Sequence, residues 1–320
     1  MDTYNKFPIN RTSDFVYQFA AVTSYAQDRY DILFAARATG LYWSRDKGET
    51  WESAYKSIQT GERLPTLALA LSPDFKHLPH VIAGLNGAIL RSHDGGENWQ
   101  VCRVPAPPPA VTCMLVSPQY PSDGKVFAGT YEDGVLISND FGENWVSWNF
   151  GLLDLNTLCL AISPDFANDE TLYAGTVSGL FRSTNGGRAW KEVSLPIGFD
   201  AVLSLAISPY FAKDTTLYAG TENSGLIFSK DRGKTWRSFT EALRDAPINS
   251  ILLYPDVRQN GDIMILQGGT LLLSRDCGET WKPWRKKTLS HKNITAICGL
   301  GGRRNGFFFG FEDGSVSRVI

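Results

Sequence analysis

Three groups of residues have types and spacings that could do chemistry. His77-Leu78-Pro79-His80, with His93 further on, gathers three of the four histidines in one stretch. A short His-x-x-His spacing with Asp74 or Asp94 nearby is a set that zinc could use, with water completing the coordination. Glu132-Asp133, Glu222 and Glu312-Asp313 stand in turn-like segments, and a glycoside hydrolase needs two carboxylates facing each other across a sugar at about 5–9 Å. Lastly, Asp46, Asp94, Asp140, Asp231 and Asp276, with Asn185 in a sixth place, recur inside one octapeptide. It runs SRDKGETW, SHDGGENW, SNDFGENW, STNGGRAW, SKDRGKTW and SRDCGETW from Ser44, Ser92, Ser138, Ser183, Ser229 and Ser274. That group is either a repeated ligand site or a repeated turn.

The elements around the octapeptide decide between the two. Its starts are 48, 46, 45, 46 and 45 residues apart, the size of one four-stranded propeller blade. Residues 156–190 show a single unit. NTLCLAIS is a β-rich apolar run ended by Pro164, and TLYAGT and GLFRS flank Val177-Ser178-Gly179 as a hairpin; after the octapeptide, AWKEVSL makes a fourth strand. We name these strands A to D, innermost to outermost. The B–C hairpin recurs seven times, from ILFAARATGLYWS to GFFFGFEDGSVSR, and the seventh unit reaches Ile320 without an octapeptide or a D strand.

The third residue after each octapeptide tryptophan is Ala54, Cys102, Trp148, Val193, Phe239 or Trp284, and Tyr4 with Phe7 in TYNKF imitates that spacing. Residues 3–9 are therefore expected to supply the outer strand of the last blade, which hides two sheet edges. The fold expected is all-β: a seven-bladed β-propeller of four-stranded antiparallel blades, one domain over residues 1–320. Its blades fall at about 15–54, 64–104, 110–150, 156–195, 201–240, 248–285 and 294–320. The A strands carry small residues on one parity (Ala68, Cys113, Cys159, Ser204, Ser250, Ala296) and leucines or isoleucines on the other. Strand side chains alternate between faces, so a large face of one blade can fill the small face of its neighbour.

Composition narrows the function classes. A net charge of −2 gives no basic footprint for extended nucleic-acid binding. The polar start MDTYNKFPIN has no apolar signal core, and no run approaches the ~18 apolar residues of a membrane span. A cytoplasmic location is the resulting expectation. The five cysteines are an odd number, four of them in or beside strand patterns, which reads as buried reduced thiols. No cofactor is expected. The calcium-like PDFANDET (Asp165, Asn168, Asp169, Glu170) lacks EF-hand spacing, and its relative PYFAKDTT has lost two of the acids, so it reads as a turn. Pro105–Pro109, PAPPP, reads as a stiff connector between blades 2 and 3.

The octapeptide S-x-D-x-G-x-x-W resembles the Asp-box, or BNR repeat, of sialidases, sortilin-type receptors, xyloglucan-degrading glycosidases and photosystem II assembly and stability factors. Of these, single-domain assembly-factor propellers are the most similar overall. The resemblance implies boxes on the blade periphery, away from the ligand-binding face. Residue chemistry gives the same structural role: aspartate or asparagine bonds its own backbone in a tight turn, glycine takes φ > 0, and the box tryptophans Trp51, Trp99, Trp145, Trp190, Trp236 and Trp281 bury their rings. The FRIP-type arginine motif of sialidases is absent.

In a propeller the D–A and B–C connections share one face, where loops on a rigid scaffold carry function. Aromatic and basic residues there make the partner-binding candidates: Tyr55, Arg63, Tyr131, Phe150, Phe199, Arg244, Arg285 and Lys286. With no catalytic set selected, the expectation is a non-enzymatic scaffold or assembly factor that binds another protein or a multi-protein complex. The alternative is a glycan-binding protein or glycoside hydrolase using the same face. His77, His80 and His93 are expected as surface loop residues on the opposite face, metal-free.

Overall fold

A computed structural model describes residues 14–22, 32–58, 61–239, 243–244, 246–253, 262–284, 293–299 and 307–319. They form a seven-bladed β-propeller of antiparallel sheets. Blade 4 is typical, with strands Thr157–Ile162, Leu172–Thr176, Leu180–Ser183 and Lys191–Val193 hydrogen-bonded in that order. Blades 1 to 6 have four strands each. Blade 7 has three among the described residues, Ile294–Gly299, Phe307–Phe311 and Val316–Val319. Residues 3–9, expected as its fourth strand, lie outside the described residues.

The alternation of the A strands does what their sequence implies. In blade 2, Ala68 and Ala70 pack forward against Val111 and Met114 of blade 3. Leu69 and Leu71 pack back against Phe34, Leu41 and Trp43 of blade 1. Each A strand therefore turns its large face to the preceding blade and its small face to the next.

Strand B completes the seat. Gly129 pairs with Cys113 across the A–B ladder of blade 3. A Cβ on Gly129 would fall 2.5 Å from Cys113 Sγ and 2.7 Å from Cγ2 of Thr157, the first residue of strand A in blade 4. Gly84, Gly175, Gly220 and Gly310 receive Val111, Val202, Ile248 and Val16 in the same way. Polar side chains on the small face tie the blades further: Ser204 Oγ donates to the Ile248 carbonyl at 2.8 Å. At the matching place in blade 1, Gln18 accepts from the Leu69 N–H at 2.8 Å and donates to its carbonyl at 3.1 Å.

The A–B turns of blades 2, 4 and 5 add a second contact to their junctions. Phe75 meets Phe34, Phe166 meets Phe127 and Phe211 meets Tyr173, with ring centroids 6.2, 5.8 and 6.4 Å apart. Each reaches back from its own blade to strand B of the one before. Tyr120, Phe166 and Phe211 open one-turn helices, Tyr120–Asp123, Phe166–Asp169 and Phe211–Asp214. PDFANDET is thus a helical turn, its Asp169 held by Ser163 Oγ at 2.8 Å and Arg232 at 3.2 Å. The ring joins up by the same packing: Phe19 of blade 1 lies 6.5 Å from Phe308 of blade 7, and a Cβ on Gly48 would sit 2.5 Å from the Phe308 ring.

Gly129→Ala is expected to destabilise the protein by about 1–3 kcal/mol through overpacking. Gly61→Ala, where an added Cβ meets nothing within 4 Å, should stay within about 0.5 kcal/mol of wild type. Urea denaturation of the two variants checks the difference.

Candidate functional site

The repeated acids are turn-formers. In box 1, Ser44 Oγ donates to Asp46 Oδ1 at 2.7 Å and accepts from the Gly48 N–H at 2.8 Å, while Asp46 Oδ1 accepts from the Thr50 N–H at 2.9 Å. The Trp51 indole N–H donates to the Gly48 carbonyl at 3.2 Å. Asn185 makes the same turn in box 4, accepting from Ser183 Oγ and the Ala189 N–H, both at 2.9 Å. Two successive residues adopt φ > 0, as at Arg232 (61°) and Gly233 (72°). Two box tryptophans also bridge blades: the Trp99 indole N–H donates to Ala54 and that of Trp190 to Trp148, at 2.8 and 2.9 Å. Hydrogen bonds from Thr50 and Ser44 hold the Asp46 carboxyl down at about 2, and those from Thr280 and Ser274 do the same for Asp276.

The histidines divide. His77 is exposed and pairs with Asp74 at 2.8 Å. His80 is not a surface loop residue: it is buried at the junction of blades 2 and 3, with Nδ1 2.9 Å from the Tyr120 hydroxyl and Nε2 2.8 Å from His93 Nδ1. A neutral ring with its proton on Nε2 satisfies both contacts, accepting from Tyr120 and donating to His93. Burial, then the neighbouring His93 and Arg91, push His80 down to about 4. No cluster of three metal-ligating side chains forms among the described residues.

Cysteine chemistry is also muted. Cys113 and Cys159 point to different neighbours, Thr112 and the Val202 carbonyl, and burial pushes the Cys102, Cys113 and Cys298 thiols up to about 12. Thiols held neutral make poor nucleophiles. Cys277 alone is exposed, in a left-handed box position.

On the D–A and B–C side, the loops arriving at blades 4 and 5 are fastened to their own blades' hairpin tips. Asp154 Oδ2 accepts from the Ser178 N–H at 2.8 Å, and Asp200 Oδ1 from Asn223 Nδ2 at 3.0 Å. Partial burial would raise both carboxyls, but these hydrogen bonds hold them below the usual carboxylate range. Glu312 and Asp313 are likewise engaged, accepting from Asn293 Nδ2 and the Ser315 N–H, both at 2.9 Å. Asp133 differs: burial and then its neighbour Glu132 raise its carboxyl above the ordinary value.

The fastened loops leave apolar side chains standing in solvent. Phe150 is 80% exposed, Leu153 78% and Phe199 86%, with Leu155 and Val177 also exposed. Phe150 begins its loop at the outer rim, where its carbonyl accepts from the Trp190 N–H at 2.8 Å. The other four lie by the hairpin tips of blades 3 to 5: the Gly134 N–H donates to the Leu155 carbonyl, and Phe199 precedes the Asp200 that holds Asn223. Leu153, Leu155 and Val177 were not singled out from sequence, because isolated aliphatics in a loop carry no periodic signal.

Tyr55 is corrected. It is buried, its hydroxyl 2.8 Å from Thr66 Oγ1 and its ring edge-on to Trp99 at 5.1 Å, so it belongs to the seam of blades 1 and 2. Tyr131 is half-buried in the tip of blade 3, and Arg63 and Arg244 are exposed in two separate loops. Arg285 and Lys286 lie outside the described residues.

No protein-family model matches the chain, and no curated protein matches it. Solved structures do. One titled YCF48 bound to D1 peptide superimposes with a TM-score of 0.71 at 17% identity, covering 97% of this chain and 94% of that one. In fold, the chain is similar to that propeller. YCF48 from Cyanidioschyzon merolae matches at a TM-score of 0.67 and 15% identity, covering 96% of this chain and 95% of its own. The GH74 xyloglucanase of Xanthomonas campestris matches at 0.72 and 15%, and there the chain spans only 52% of the enzyme.

Two pH windows follow. A histidine whose folded value is depressed adds stability that is full above its ordinary value and is lost as pH falls from about 6.5 towards 4. His80→Gln should flatten that limb of a stability–pH profile. The box acids add stability lost lower, as pH falls from about 4 towards 2. There Asp276→Asn should keep the turn, as Asn185 does, while Asp276→Ala should lower the urea midpoint.

Proposed function

We propose that this propeller binds another protein, as a scaffold or assembly factor, through the loop face of blades 3 to 5. The observation that carries this is the set of exposed apolar side chains there, Leu153, Leu155, Val177 and Phe199, with Phe150 at the rim. They sit on loops fastened at both ends, so they are presented at little ordering cost. Buried aromatic anchors dominate protein interfaces. The YCF48 propeller that this chain resembles in fold is itself bound to a peptide. Among the described residues, no helix is long and apolar enough to cross a membrane.

A carbohydrate-active reading rests on one observation, the raised carboxyl of Asp133 beside Glu132, on a fold shared with a xyloglucanase. Two of the other tip acids, Glu312 and Asp313, are occupied by local hydrogen bonds.

Affinity purification of the tagged full chain from its native host separates the two. Leu153→Ser with Phe199→Ser should lose the captured partner at least tenfold while thermal stability changes by less than about 0.5 kcal/mol. Recovery of the protein alone, together with cleavage of a glycan panel that Asp133→Asn abolishes, would replace the scaffold reading by the enzymatic one.

A further inference from the structure

Six blades carry near-copies of one box, so a place where one copy inverts the pattern is informative. In blade 2, Arg91 stands just before the box serine. Its Nη2 pairs with Oε2 of Glu143, the sixth residue of the blade 3 box, at 3.2 Å, and strand D sets Gln100 opposite it. Blade 4 keeps the arginine, as Arg182 before Ser183, and reverses what surrounds it. Lys191 stands opposite on strand D, and the sixth residue of the blade 5 box is Lys234. The Arg182 side chain has no ion pair or hydrogen bond among the described residues, and its Nε is buried without an acceptor.

The three cations line one cleft of about 490 Å³ between blades 4 and 5, with Thr184 and Ser194 adding hydroxyls and Glu192 the one carboxylate. The corresponding grooves of blades 1 and 6 are lined by the box acids Asp46 and Asp276. In blade 4 that acid is the neutral Asn185. Ion pair, facing residue and box acid have therefore all moved in the same electrostatic direction at one site. Clustered cations repel one another, and a buried N–H without an acceptor is costly. An anion in the cleft relieves the repulsion among the three cations.

We propose that this cleft binds a phosphate-class oxyanion. The Arg182 guanidinium engages two oxygens through its planar fork, Lys191 and Lys234 neutralise the second charge, and the hydroxyls donate to the remaining oxygens. The site lies on the periphery, apart from the loop face, and stands independently of the function proposed for that face.

Isothermal titration of the full chain with inorganic phosphate, at ionic strength held constant with chloride, tests this. Saturable binding with Kd on the order of 1 mM or tighter is expected, and Arg182→Gln should weaken it at least tenfold. Lys234→Glu should do the same while rebuilding the Arg91–Glu143 arrangement around Arg182, so its melting temperature should match or exceed that of wild type. That keeps loss of binding distinct from loss of fold. Phosphoserine, titrated in parallel, names the source: tighter binding than phosphate marks a phosphate ester as the ligand, equal or weaker binding marks the free ion. No saturable binding of either probe, or unchanged phosphate binding in folded Lys234→Glu, overturns the proposal.

Discussion

At five junctions between adjacent blades the inner strands leave no space for a side chain on strand B, while in blades 1 and 6 Ala36 and Leu266 stand at that position. A Cβ added at Gly129 would come within 2.7 Å of Thr157 Cγ2 from the next blade, and an equivalent glycine receives the next blade in four other junctions. The small residue on strand A, Cys113 here and Ala68, Cys159, Ser204 or Ala296 elsewhere, lies across the ladder from that glycine. Together they cut a notch into which the first β-branched residue of the following blade drops. Sheets with a fixed right-handed twist can stack face to face around an axis only if their inner edges are thinner than their outer ones. At these five junctions the notch supplies that thinness.

The boxes and the aromatic turns then fill the wider outer part of each wedge. Box tryptophans hand their indole N–H to the neighbouring blade's carbonyls at Ala54 and Trp148. Phe75, Phe166 and Phe211 reach back to the blade before. Because the conserved-looking chemistry of the acids is spent on turns, it is not available for ligands. What the scaffold leaves free is the loop face, where Asp154 and Asp200 pin the loops and apolar side chains protrude, and the cleft between blades 4 and 5 in which the repeat's charge pattern is reversed.

The blade count, the strand order and the role of the boxes were legible in the sequence because they repeat: five spacings of about 45 residues and a fixed octapeptide constrain a fold far more than composition does. The alternation of small and large residues along strand A was readable for the same reason. Single residues were harder. Tyr55 sits in a D–A connection and reads as an exposed aromatic, but the chain bends inward after Ala54 and its hydroxyl finds Thr66. His80 follows a proline in an A–B turn, and the arrival of Tyr120 and Phe141 from the next blade helps to bury it. Such outcomes depend on contacts between blades, to which a within-repeat pattern is blind. The cleft at Arg182 was hidden for a related reason, since its three cations come from two blades and two strands.

The notch is most directly tested by a double-mutant cycle across one junction, Gly129→Ala with Thr157→Ala, followed by urea denaturation. If Thr157 is what the glycine makes room for, the Gly129→Ala penalty should shrink by about 0.5–3 kcal/mol when the Thr157 methyl is gone. Strictly additive costs would mean that Thr157 does not seat against Gly129, and the account of how the blades stack would fail.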